Sequence, residues 1–253
     1  MVRAVLALLS WAVLFGQTSP FDVLITGARV IDGAGGSWYY ADIGIRGDTI
    51  AAVGPLAGAE AAIRIDARGL VAAPGFIDIH SHARRGIFAV PTADNYLREG
   101  VTTIVEGPDG SSPVPLAPFL DKLRQTPISI NFATMVGQGS IREVVIGLAN
   151  RKATPDEIEK MKGLAAQAMR EGAFGLSTGL YYVPGNYTPT EEVIELAKVV
   201  GRMGGIHISH MREEASHVLA SVRETIRIGE EGGLPTQITH HKIIGQGGGV
   251  RCG

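Results

Sequence analysis

The sequence predicts an α/β fold built on parallel strands and preceded by a smaller all-β unit. From residue 75 onward, short apolar runs alternate with segments of helical period, the pattern of strand–helix–strand crossovers. Residues 21–74 instead carry short apolar–polar alternations punctuated by glycine turns. Seven histidines are present, and five of them gather at the ends of three of the expected strands. Alternation at this spacing fits either a barrel or a doubly wound sheet.

Taken in order, the first twenty residues stand apart. Arg3 is followed by an apolar run from Ala4 to Phe15 that ends near Gly16, too short to span a bilayer comfortably but matching a secretory leader. This predicts a signal peptide over 1–20, with a periplasmic or secreted product and no stable membrane insertion after cleavage; the alternative is a buried first helix or strand in a cytoplasmic protein. "FDVLITGARVID" and "ADIGIRGDTIAAVG" then read as strands, with turn signals at Gly27, Gly33, Gly47–Asp48 and Gly54–Pro55. "AAIRIDARGLVAAPG" continues in the same style, so residues 21–74 are expected to form a small antiparallel β unit.

After Pro74–Gly75 six strands are expected, at 76–80, 101–107, 128–137, 173–178, 205–210 and 235–241. Helices are expected at 92–99, 115–125, 154–171, 190–203 and 213–231. The segment 154–171 has the strongest end signals: Thr154 as cap, Glu157 three residues on, Pro155 in the first turn and Gly172 past the end. The same device recurs at Thr188 or Thr190. Residues 75–253 would thus be one strand–helix domain.

Composition narrows the function. The 253 residues are 45% apolar and 19% charged with a net charge of −2, so the chain has ample length for a core and is not disordered. Both signs of charge are scattered, without the basic face that nucleic acid requires. The single cysteine, Cys252, excludes an intramolecular disulfide and a Cys-rich zinc site. Any metal here must be held by histidine and carboxylate.

The histidines supply such a set. His80 and His82 end the first barrel-type strand, His210 the fifth, and His240 and His241 the sixth. Residues two apart in a strand face the same side, so His80 and His82 can act together. Parallel α/β barrels gather their chemistry at this end of the strands. A single strand-end histidine is more often structural, and His217, expected inside the last helix, and His207, one strand repeat before His210, are read as structural too; five at matching ends point to a metal.

These residues carry a specific resemblance. "VAAPGFIDIHSH" resembles the amidohydrolase superfamily, whose first barrel strand ends in H-x-H, and the preceding β unit resembles that superfamily's small sandwich. "GVTTIVEGPDG", "GLSTGLYYVPG", "HISHMREE" and "ITHHKIIG" together resemble the N-acyl-D-amino-acid deacylases, over about residues 22–246. The resemblance implies a (β/α)8 metallohydrolase barrel, here incomplete with about six strands, after a small β-sandwich portion. It implies a centre of one or two divalent ions such as Zn2+. His80 and His82 would hold the more exposed ion, and His210 and His240 the tighter one. Where the family has a cysteine in G-N-C-G, this chain has "GPDG", which places Asp109 at that position, with Glu106 as the rival bridging carboxylate. Lys242 corresponds to a lysine that pairs with the substrate carboxylate, and Tyr182 to a tyrosine near the scissile group.

The implied reaction is metal-assisted hydrolysis of the amide of a small N-acylated D-amino acid. The family's proton acceptor is an aspartate at the end of the eighth strand. Only six strands are legible, and "GGGVRCG" does not resemble the family's continuation. The expectation is therefore a truncated chain whose catalytic aspartate lies beyond Gly253, and which aggregates or is inactive by itself. The alternatives are a cyclic-amide hydrolase akin to dihydroorotase or hydantoinase, and a non-catalytic metal-binding fragment. "GAFGLSTGL" lacks the lysine that the cyclic-amide enzymes typically use as a bridge, which counts against the first of these.

Overall fold

The computed structural model describes residues 21–244, and the chain divides at Pro74 into two compact units. The expected leader over 1–20 and the tail with Cys252 lie outside the described residues.

The first unit is one sheet of five strands: β1 (Phe21–Val30), β2 (Tyr39–Arg46), β3 (Thr49–Gly54), β4 (Ala61–Asp66) and β5 (Val71–Ala72). β1 is central. It pairs antiparallel with β2 but parallel with β4 along its first half and with β5 along its second. The expected antiparallel unit is therefore a mixed sheet. Alternation and turn residues mark where strands lie, but not that residues 55–60 cross from β3 to the far side of β1. Gly27, at φ +70°, forms a bulge in β1 between Ile25 and Ala28. The buried Asp42 carboxylate fixes that bulge, accepting from the Gly27 and Leu56 amides at 2.7 and 2.8 Å. Ala28, Val30, Ile43 and Ala67 form the unit's core.

In the second unit every strand pair is parallel. β6 (Phe76–Ser81), β7 (Val101–Glu106) and β8 (Asn131–Thr134) make one sheet, and β9 (Val136–Gly137), β10 (Gly175–Gly179), β11 (Ile206–His210) and β12 (Thr236–Ile238) make another. Only Met135 separates β8 from β9, so the expected third strand is present but broken into two pieces that face different neighbours. Spatial order follows sequence order among the described residues, with no switch point, which is barrel-type rather than doubly wound winding. Among the described residues, β6 and β12 each pair on one side only.

Helices α1 (Gly86–Ala89) and α2 (Asp94–Arg98) follow β6, α3 (Ala117–Gln125) follows β7, and α4 (Gln138–Ile146) and α5 (Pro155–Glu171) follow β9. α6 (Thr190–Arg202) follows β10 after a short 3-10 turn at Gly185–Tyr187, and α7 (Val218–Gly232) follows β11. α5 carries the capping box expected of Thr154 and Glu157, with Pro155 at its start and Gly172 in a left-handed C-cap. Its Met161, Ala165 and Ala168 join Val193, Leu196, Ala197 and Val200 of α6 in the main core against Leu176 of β10. Burial of each of the large aliphatic side chains contributes about 1.5–3 kcal/mol. None of the described helices is long and apolar enough to cross a membrane.

Three local expectations are corrected. α6 has no side-chain cap: Pro189 occupies the position, Thr188 is buried with the Gln138 amide at 3.1 Å, and the Thr190 hydroxyl turns to Glu224 at 2.7 Å. α7 begins at Val218 rather than 213, because Glu213 and Glu214 are drawn into other contacts, Glu213 accepting from the His217 amide at 2.7 Å. His217 consequently stands at the cap of α7, not inside it. α4 carried no expectation at all: it starts on glycine without a side-chain cap and runs through Val144, Val145 and Ile146, a β-branched run that reads as strand.

Candidate metal centre

The side chains that converge come from the carboxyl ends of the parallel strands. β6 delivers His80, and His82 follows the strand's last residue. The Asp78 carboxylate accepts from the His80 amide at 2.9 Å, pinning the backbone there. The two imidazoles approach with Nε2 atoms 3.3 Å apart. β11 ends on His210, and β12 stops at Ile238, so His240 and Lys242 lie on irregular chain after a bend at Thr239 rather than on the strand pleat. His240 Nε2 is 3.0 Å from His210 Nδ1.

Asp109 joins the two pairs. It occupies the turn after β7 at φ +58°, a left-handed conformation that Asp and Asn tolerate better than other side chains. Its Oδ2 lies 3.6 Å from His80 Nε2 and 3.4 Å from His82 Nε2, while Oδ1 lies 3.4 Å from His210 Nδ1. The turn is held against β10 by close packing: a Cβ at Gly179 would come within 2.1 Å of the Asp109 carbonyl oxygen. Glu106, the rival carboxylate, is buried at the end of β7 and is not in this cluster. It accepts from the Arg84 amide at 3.3 Å and faces that guanidinium at 3.7 Å. Burial raises its pKa despite the nearby Arg84.

Electrostatics agree with the geometry. Burial by itself would raise the Asp109 carboxyl, but the close contact with His210 and the charges of His80, His210 and His82 outweigh it and hold the group below the usual range. Burial is also the main cause that lowers His80, favouring the neutral, electron-donating imidazole. Tyr182 packs its ring on His210 at 4.6 Å with the hydroxyl 3.5 Å from Nδ1, and burial followed by the charge of Asp109 raises its pKa. Tyr182, His82, Asp109, Ser111, Ser140 and Glu143 line a cleft of about 460 Å3 beside the cluster.

The donor set fits a divalent cation. Only imidazole nitrogens and carboxylate oxygens are presented, and His80 Nδ1, Asp109 Oδ1, His240 Nδ1 and Glu214 Oε1 are buried without a hydrogen-bond partner. Facing nitrogens about 3 Å apart need a proton or a cation between them. Two groups of ligand-bearing residues result, His80–His82–Asp109 and His210–Glu214–His240. Glu214 was not singled out in the sequence: in "HMREEAS" it reads as a surface acid of a helix. The signal that marks it is an acid four residues past a strand-end histidine, in a loop. His241 is not among the converging side chains; it lines a groove with Ile226 and Glu230 of α7.

Parallel strands wound in sequence order, with histidines and an aspartate meeting at their carboxyl ends, define an amidohydrolase-type partial barrel. The chain is homologous to the D-aminoacylases and related N-acyl-D-amino-acid deacylases. No protein-family profile matches it. It is 41% identical to a D-aminoacylase of Alcaligenes xylosoxydans over 91% of this chain and 52% of that protein. To an N-acyl-D-aspartate deacylase of the same organism it is 36% identical, over 89% and 50%. Among solved structures, a D-aminoacylase with a binuclear metal centre superposes with a TM-score of 0.87 at 38% identity, covering 92% of this chain and 54% of that one. An N-acyl-D-glutamate deacylase from Bordetella bronchiseptica, complexed with zinc and a phosphonate mimic of the tetrahedral intermediate, gives 0.87 at 32% identity over 92% and 54%. The chain therefore spans about half the length of the relatives it matches.

Proposed function

We propose that this chain supplies the metal-binding arc of a hydrolase that cleaves the amide of N-acyl-D-amino acids, with His80, His82, Asp109, His210 and His240 as ligands. The observation that carries this is Asp109, which turns one carboxylate oxygen to each histidine pair. The deacylase relatives and the all-imidazole and carboxylate donor set support the reading. A zinc or similar ion held there would polarise the acyl carbonyl and bring the pKa of water toward neutrality.

The chain's own residues then have distinct tasks. Asp109 links the two histidine pairs and keeps its charge at neutral pH. Asp78 fixes the backbone of His80. Tyr182, kept protonated by burial, offers a hydroxyl donor at the wall of the cleft. Half-exposed Lys242 presents an ammonium suited to the substrate carboxylate. Of the acids around the centre, Asp109 faces the histidines, Glu214 faces His240 and Lys242, Glu106 faces Arg84, and Glu143 lines the cleft.

The test is calorimetry on the purified chain. We expect at least one zinc per chain, and binding of N-acetyl-D-methionine in preference to its L enantiomer only when metal is loaded. No zinc retained by the native chain, or the same zinc retained by Asp109→Ala, would overturn the proposal.

A further inference from the structure

Glu214 lies in the loop 211–217 between β11 and α7, yet its side chain is only 3% exposed. Both of its oxygens face working side chains. Oε1 is 2.6 Å from His240 Nδ1, and Oε2 is 3.2 Å from the Lys242 ammonium. His240 turns its other nitrogen, Nε2, to His210. A single imidazole cannot direct both nitrogens at one ion, so the nitrogen facing Glu214 is the one that carries the proton if Nε2 is to donate to a metal beside His210. The main chain is tied as well: the Ile244 amide donates to the Glu214 carbonyl at 2.8 Å, which stitches the segment after β12 to this loop.

We infer that Glu214 is a positioning residue that couples the metal ligand His240 to the substrate-facing Lys242, rather than a ligand itself. One oxygen accepts from His240 Nδ1–H, fixing the tautomer and the plane of the ring. The other holds Lys242 at the rim of the same centre. The two atoms lie 2.6 Å apart but out of line for a hydrogen bond in this structure, so the proposed donation requires a small reorientation of one of the groups. The strand pleat does not align His240 with Lys242, since β12 has ended; the shared carboxylate does.

The inference rests on the metal reading for its consequence but not for its geometry, and the test separates the two. In the metal-free protein, long-range 1H–15N spectra report the His240 tautomer. We expect the Nδ1–H form in the native chain and in Glu214→Gln, which keeps an acceptor oxygen, and a mixture of tautomers in Glu214→Ala. Acetylation of Lys242, followed by mass spectrometry, should be faster in both variants because both lose the charge that holds it. With cobalt, Glu214→Ala should lose about 10–100-fold in affinity, Glu214→Gln much less, and the spectrum at saturation should be unchanged in both. A native chain with no fixed His240 tautomer, or Lys242 reactivity unmoved in either variant, overturns the inference whatever the metal result. An altered saturated cobalt spectrum in both variants overturns it in favour of Glu214 as a ligand. A native chain that takes up no cobalt overturns the metal reading alone, since the tautomer and acetylation readouts stand without it.

Discussion

Arg142 on α4 and Glu192 on α6 form an ion pair with side chains 0% and 4% exposed. Arg142 also donates to the carbonyls of Arg151 and Ala149, and Glu192 accepts from the Ala153 amide at 3.1 Å. The pair therefore pins the connection 147–154 to both helices. Arg142→Met keeps most of the volume but leaves Glu192 as a buried charge with one backbone donor, and strands the Arg151 carbonyl. Breaking a buried pair from one side costs about 3–5 kcal/mol, of which each lost backbone acceptor contact accounts for about 1. For a unit of this size each kcal/mol moves the midpoint by about 2–4 °C, so a fall of roughly 6–20 °C is expected. Urea and thermal melts followed by circular dichroism measure it, and Arg142→Met with Glu192→Leu should recover most of the loss, because an apolar pair replaces the uncompensated charge. A single variant within about 1 kcal/mol of native, or a double variant no better than the single, refutes this account.

Other outcomes are equally measurable. Asp109→Asn suits the same left-handed turn but removes the charge between the histidine pairs, so zinc affinity should fall at least 100-fold with the melting midpoint of the metal-free protein moved by no more than a few degrees; competition with a chromophoric chelator reads this. Gly179→Ala pushes on the Asp109 carbonyl and should weaken zinc binding without touching a ligand; native affinity in that variant would remove the packing argument. Saturating zinc at about 100 times its dissociation constant should stabilise the chain by about 2.7 kcal/mol, and chelator should reverse it. His207 is fully buried and burial holds its pKa down to about 3, against an unfolded value near 6.5. The unfolded chain thus binds the extra proton between those values. This contribution is complete above pH 6.5 and is lost on acidification at about 1.4 kcal/mol per pH unit. His207→Asn in metal-free protein should flatten that slope; equal slopes would assign acid sensitivity elsewhere.

Much of the fold is legible because local chemistry writes it. Alternating apolar residues and glycine turns mark β1 to β3, and the box of Thr154, Pro155, Glu157 and Gly172 marks α5. The failures share one cause. α4 lacks a cap and is β-branched, α7 gives up its first turn because Glu213 and Glu214 bond elsewhere, and the third strand breaks at Met135 because its two halves pair with different neighbours. In each, specific contacts, most of them between distant residues, outweigh intrinsic propensity, which is worth well under 1 kcal/mol per residue.

The site divides the same way. The sequence by itself determined the ligand chemistry: with one cysteine in the chain, a metal had to be met by histidines at strand ends and a nearby carboxylate. Tertiary structure brings one of the two candidate carboxylates to the histidines and turns the other away. Glu106 and Asp109 are three residues apart and equal in charge, but Glu106 ends on a buried strand against Arg84, while the left-handed turn packed on Gly179 aims Asp109 between the histidine pairs. It also decided that Glu214, a surface acid by sequence, is buried between His240 and Lys242. Residue type fixes what a side chain can bind; only the fold brings its partners within the few ångströms at which that chemistry operates.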